Sequence, residues 1–157
     1  MKKMVATFGT LLIAAVIILS GSATAATHFV KYISESYCTN IGYIDGPPDN
    51  LSASLGQDGT PPRYGTVRLD LGSGNEMGAS QVFTVFYANN TESEQYQVFV
   101  GEDLDEFYLV GSGNDQADRN FTTPNWGSSW RYIILVGISG SSTGDPAYGP
   151  EIDAVGW

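Results

Sequence analysis

The sequence predicts an all-β chain: an antiparallel β-sandwich of jelly-roll type with about eight strands. Three observations carry that expectation. No convincing helical period runs through the chain after its first 25 residues, while short runs rich in β-branched and aromatic residues recur. Those runs are separated by Gly, Pro, Asn, Asp and Ser, the residues of tight turns. Within "GTVRLDL" (65–71), Val67, Leu69 and Leu71 alternate with Thr66, Arg68 and Asp70, so one face is dry and the other wet.

Taken in order, the runs are "THFVKYISESY" (27–37), "LSASL" (51–55), "GTVRLDL" (65–71) and "QVFTVFYA" (81–88). "EQYQVFV" (94–100), "EFYLVG" (106–111), "WRYIILVGI" (130–138) and "EIDAVGW" (151–157) follow. "RYIILVGI" is almost continuously apolar, which suits a central strand. Two connections are long, 111–130 and 139–150, and long loops in compact domains are often functional. "GEDLDEF" (101–107) sets four acids between two runs and reads as a solvated hairpin tip, since it lacks the Asp/Asn ladder and Gly of an EF-hand loop.

Residues 1–25 read as a secretory signal: Lys2 and Lys3, an apolar stretch from Val5 to Leu19, then Ala23-Thr24-Ala25 as a small-x-small cleavage site. The alternative is a retained anchor similar to that of pilin-like subunits, but the apolar stretch is slightly short for a span. The expected organisation is signal peptide 1–25, an N-terminal strand segment 26–43, and a sandwich domain 44–157. The chain is expected to be secreted, extracellular or at the cell surface, with no membrane contact after cleavage.

The full chain of 157 residues carries 7 basic and 17 acidic side chains. Loss of the two signal lysines takes the net charge from −10 to about −12. Such a charge argues against nucleic acid and anionic lipid as partners and leaves cations and neutral glycans. Cys38 is the only cysteine, so no disulfide within the chain can staple the fold. Two roles stay open for it: a buried apolar residue, or a disulfide between chains.

Catalysis finds little support, and the chain is expected not to be an enzyme. His28 is the only histidine, so no histidine triad can be built in the folded body. Zinc-ligand spacings, phosphate loops and nucleophile elbows are missing from the sequence. A carboxylate pair for glycoside hydrolysis cannot be told from surface charge. Glycan binding is better served. Trp126 and Tyr148 lie in the two long loops, where flat rings can stack on sugars, whereas Trp130 reads as the start of a core strand. Asn50, Asn89 and Asn120 open Asn-x-Ser/Thr sequons at strand ends or loops, where a glycan has room.

Glu151 and Asp153 stand two apart in the last run, on one face of a regular strand. Two like charges there repel unless a cation or an arginine, such as Arg63 or Arg131, lies between them.

"DGPPDNLSASLGQDG" (45–59), the "GEDLDEF" hairpin and the closing "GPEIDAVGW" resemble a family of secreted bacterial and archaeal surface domains with a galactose-binding-like jelly roll. In that family a "pdG-x-x-a-S-L-G-x-x-G" segment opens the domain and a "G-f-D-l-D-A-V" segment closes it. Asp49-Asn50 to Leu55-Gly56, Glu102 to Phe107 and Glu151 to Val155 carry the match, which covers about residues 44–157. Glu151 departs from the family's Asp, Tyr87 stands near a position that often holds an acid, and no sorting tail follows. The resemblance implies a structural Ca²⁺ near the chain ends, held by Asp153 with Glu151 and Asp49 as partners. Ca²⁺ takes six to eight oxygens, from carboxylates and loop carbonyls.

The N-terminal segment suggests an assembly role. Phe29, Val30, Tyr32 and Ile33 put apolar side chains on both faces of a strand, as suits insertion between neighbours. The first expectation is therefore a structural subunit of an extracellular filament, a head-to-tail polymer of copies of itself through donor-strand β-addition. The alternative is a monomeric calcium-dependent carbohydrate-binding surface module.

Overall fold

The computed structural model describes residues 26, 28–57, 63–88, 93–139 and 149–157. The expected signal peptide, Asn89 and Tyr148 lie outside these described residues.

The strands are β1 (Lys31–Ser36), β2 (Ala53–Ser54), β3 (Gly56–Gln57), β4 (Arg63–Tyr64), β5 (Thr66–Asp70) and β6 (Val82–Tyr87). They continue with β7 (Gln95–Gly101), β8 (Tyr108–Asn114), β9 (Arg119–Thr122), β10 (Tyr132–Gly137) and β11 (Glu151–Gly156). One sheet has the order β1-β5-β10-β7-β8 and faces a second, β2-β11-β6-β9, while β3 and β4 form a small pair. Every pairing between these strands is antiparallel. The all-β sandwich expected from the sequence is the fold observed.

The alternation in β5 works as expected: Val67 and Leu69 are fully buried while Arg68 is exposed. β10 is central, between β5 and β7, and Ile133, Ile134 and Leu135 are all buried. The opposing sheet contributes Phe83, Val85, Ile152 and Val155 to the same core. A 3-10 turn at Ile41–Ile44 plugs one corner with buried Ile44. Among the described residues no helix is long and apolar enough to cross a membrane.

Two expectations are corrected. The stretch 111–130 is not one long loop: it contains the end of β8 and all of β9, whose Arg119–Thr122 pairs with Val82–Val85 of β6. The N-terminal segment is not a free donor strand. His28 and Trp157 exchange backbone hydrogen bonds of 3.2 and 3.0 Å, and Val30 donates to the Val155 carbonyl at 3.1 Å. The chain then crosses to the other sheet, where Lys31–Ser36 pairs with Thr66–Asp70. Val30 is buried, Phe29 packs on Phe86, and Tyr32 lies opposite Leu69, with Ile33 at the bulge beside it. Of the residues expected to drive polymerisation, Phe29, Val30 and Tyr32 pack in their own sandwich, while Ile33 is 40% exposed. The segment passes from one sheet to the other within a single chain.

Candidate functional site

Three connections meet at one end of the sandwich. The β5–β6 connection is fixed by Met77 and Trp130, which exchange backbone hydrogen bonds of 3.0 and 2.8 Å. The β9–β10 connection joins it through Ser80 N–H donating to the Pro124 carbonyl at 3.0 Å. The β7–β8 hairpin is held beside them by Glu102, whose Oε1 accepts from the amides of Ser128 and Ser129 at 2.9 and 3.3 Å. The hairpin tip is solvated, as the sequence suggested, but Glu102 also ties it to the neighbouring loop. Asp103 accepts from the amides of Asp105 and Glu106 and so shapes the tip itself.

Three aromatic rings stack edge to face at this end. Trp126 lies 4.6 Å from Tyr108 and 5.1 Å from Trp130 between centroids, and Tyr108 lies 5.7 Å from Trp130. Trp130 is fully buried, as expected for a core position, while Trp126 stays 50% exposed. Edge-to-face packing against two rings holds the half-exposed indole in place. Gly127 permits the approach: its φ is +84°, and an added Cβ would stand 2.6 Å from Trp130 and 2.9 Å from Glu102. A hydrogen bond to Glu106 and the surrounding negative charge raise the Tyr108 phenol above its ordinary value. Glu102, Asp103, Glu106, Tyr108 and Trp126 enclose a shallow hollow of about 70 Å³. Two larger hollows lie elsewhere, one of about 370 Å³ along β1 and β5 and one of about 280 Å³ near Asp70. Neither holds an exposed indole.

The opposing acids of the last strand form a separate corner. Asp153 is buried, and its two carboxylate oxygens accept from the amides of Asp49 and Asn50 at 3.0 and 2.9 Å. Asp49 in turn accepts from Leu51 at 2.9 Å. A register shift between Ile152 and Ala154 places a bulge at Asp153, so the simple same-face rule for Glu151 and Asp153 fails there. Asp49 and Asp153 are thus brought together, with amide donors compensating the buried charge. Among the described residues no three His, Cys, Asp or Glu side chains gather as a metal shell. Arg131 is engaged elsewhere, in a two-pronged pair with Asp70 at 2.8 and 2.9 Å.

Two of the sequons are described. Asn50 is exposed with φ of 65°, and Asn120 is exposed on β9, its side-chain oxygen accepting from Thr84 at 2.8 Å. His28 stacks on Trp157 at 5.4 Å. Sequence reasoning missed the contribution of Tyr108 to the aromatic end, because its run read only as a strand, and Glu106 read as one of four acids in a solvated hairpin tip. The signal was there in "DEFY", where acid and aromatic residues adjoin a turn.

No protein-family model matches the sequence, and no curated protein matches it. Several solved structures do share the fold. Truncated AlyQ, described as holding CBM32 and alginate lyase domains, superposes with a TM-score of 0.51 at 19% identity over 83% of this chain. The match covers 33% of AlyQ, so this chain spans about a third of that protein. The C-terminal domain of a chitobiase from Bacteroides fragilis gives a TM-score of 0.51 at 12% identity, over 82% of this chain and 91% of that one. The isolated CBM32 of AlyQ, in complex with 4,5-unsaturated mannuronic acid, gives 0.46 at 19% identity, over 82% and 96%. Truncated AlyQ holds a CBM32 and an alginate lyase domain, and the other neighbour is a domain of a chitobiase; with the N-terminal strand paired in its own sheets the polymer expectation is overturned. At such identities the likeness establishes the fold alone: the chain is an antiparallel β-sandwich that shares its architecture with a part of truncated AlyQ and with the chitobiase C-terminal domain.

Proposed function

We propose that this chain is a non-catalytic carbohydrate-binding module that stacks a sugar face on Trp126. One observation carries the reading: an indole 50% exposed, held rigid by Tyr108 and Trp130, beside carboxylates that can accept sugar hydroxyls. A rigid ring loses little side-chain freedom on binding, and half of the indole surface is open to solvent. The shared architecture with carbohydrate-binding modules supports the same reading. The signal-like start supports work outside the cell. Affinity electrophoresis through a panel of polysaccharides tests the proposal. Trp126→Ala is expected to weaken retardation roughly tenfold or more, as for a central aromatic anchor. Retardation unchanged in Trp126→Ala removes this surface as the site.

A further inference from the structure

The strand β9 ends its sheet. In the order β2-β11-β6-β9 it has a partner on one side only. An open edge is a template for pairing with other chains, and sequences blunt it with lysine, with proline or with a cover. β9 reads Arg-Asn-Phe-Thr and has neither lysine nor proline. Its side chains are sorted by face. Phe121 is buried and packs on Phe83 and Tyr96, so Asn120 and Thr122 on either side of it point outward, and both are exposed. They stand opposite Thr84 and Val82 of β6, and Val82 is 52% exposed. This outward face therefore sets an uncovered apolar residue beside polar ones, next to an open edge.

Asn120-Phe121-Thr122 is also an Asn-x-Thr sequon, and the sandwich presents it in a usable form. The Thr84 hydroxyl donates to Oδ1 of Asn120 at 2.8 Å. That bond holds the amide and engages only its oxygen. Nδ2, the atom that takes a sugar, has no hydrogen-bond partner among the described residues. The chain is extended here, so Thr122 carries its hydroxyl on the same face two residues on. Asn50 is presented differently: its φ is 65°, and its backbone amide donates to Asp153.

We infer that Asn120 carries an N-linked glycan, which covers Val82 and screens the open edge of β9. The inference does not depend on Trp126 or on what the chain binds. In the transfer, Nδ2 forms a bond to C1 of the first sugar of a polyprenyl-phosphate-linked oligosaccharide. The bond from C1 to the phosphate oxygen breaks, the lipid phosphate leaves with the bonding pair, and Nδ2 gives up one of its two protons. Neither an oxidant nor a reductant enters. Oδ1 remains a carbonyl oxygen, so the hydrogen bond from Thr84 persists in the product. A glycan is bulky and solubilising and belongs on a surface, which is where the buried Phe121 fixes its neighbour. The signal-like start supports passage through the membrane that carries such lipid-linked donors.

Glycopeptide mass spectrometry of the protein collected from the cells that produce it tests the site. A glycan mass is expected on the peptide that holds Asn120. Thr122→Ala, which keeps the asparagine and removes the hydroxyl, is expected to lose that mass, and Thr122→Ser is expected to retain it. A bare Asn120 in the parent protein, whatever the state of Asn50, overturns the inference. Equal occupancy in Thr122→Ala overturns it too. The screening role has its own readout. Enzymatic removal of the glycan from the folded parent is expected to leave the melting temperature in place and to bring on self-association, read by light scattering, at lower protein concentration. Asn120→Gln gives the same comparison in a chain that was never modified. A deglycosylated protein as monodisperse as the parent shows that the edge needs no cover and overturns that role.

Discussion

Cys38 shows how packing decides what one residue can do. Its thiol lies 3.5 Å from the carbonyls of Ser36 and Thr66, and a Cβ at Gly65 would meet its sulfur at 2.7 Å. Burial, with the charge of Glu35, pushes the thiol up to about 12. The thiolate is the species that reacts, and at pH 8 this site holds almost none. Alkylation of the native protein at that pH is therefore expected to run at least about 100-fold slower than in denaturant. Equal rates would mean that the thiol is not packed as described. The same chemistry weighs on the two roles left open by the sequence, because a thiol that does not ionise is a poor partner for a disulfide between chains. Trp126 and Trp130 illustrate the converse: four residues apart in one loop, they differ from half exposed to fully buried. Nothing in their local sequence separates them except that Trp130 immediately precedes the apolar run of β10.

Asp153 acts at the level of an element, since its carboxylate ties the 45–51 segment to β11. Asp153→Ala leaves the amides of Asp49 and Asn50 without their acceptor and is expected to cost roughly 2 kcal/mol in urea unfolding. A variant as stable as the parent would show that the two hydrogen bonds carry nothing. Calcium shared by Asp153, Asp49 and Glu151 stays a proposal from the resemblance, and the same unfolding curves with added Ca²⁺ or chelator test it. An ion at this corner moves the parent's midpoint and leaves that of the variant in place. At this scale the sequence was most legible where periodicity was long. β5, β6, β7, β10 and β11 lie inside the runs read from alternation and apolar content, apart from single residues at their ends. β9 was not legible, because "RNFT" buries only Phe121 and its remaining residues are exposed. Its pairing is decided by Phe83 and Tyr96, which pack on Phe121 at 5.7 and 6.2 Å and are distant in the chain. The bulge at Asp153 was equally hidden, because a register shift depends on the neighbouring strand and not on the strand that bulges. The candidate site was half legible: Trp126 and the acids announced themselves, but their meeting needed three loops from distant parts of the chain.

At the scale of the whole molecule, the segment 28–36 links both sheets, and this sets the cost of removing it. Its first residues pair with Val155–Trp157 of the β2-β11-β6-β9 sheet, and its last six form the edge of the other sheet beside β5. Burial of Val30 alone contributes about 1.5–3 kcal/mol. The ladder hydrogen bonds to β5 each add about 1 kcal/mol. Domains of this kind are stable by about 5–15 kcal/mol in total, so the segment accounts for a major share. Removal also bares the backbone edge of β5, which becomes a template for pairing with other chains. A donor strand and an integral strand therefore give opposite results on deletion of residues 26–37. Loss of a donor strand would release well-folded monomers. Loss of an integral strand is expected to abolish the cooperative thermal transition and leave a protein that elutes as aggregates in size-exclusion chromatography. The intact protein, by the same cis pairing, is expected to elute as a monomer across the concentration range. A deletion variant that stays monomeric with the parent's melting temperature would overturn the cis pairing, and with it the closed sandwich that holds Trp126 in place.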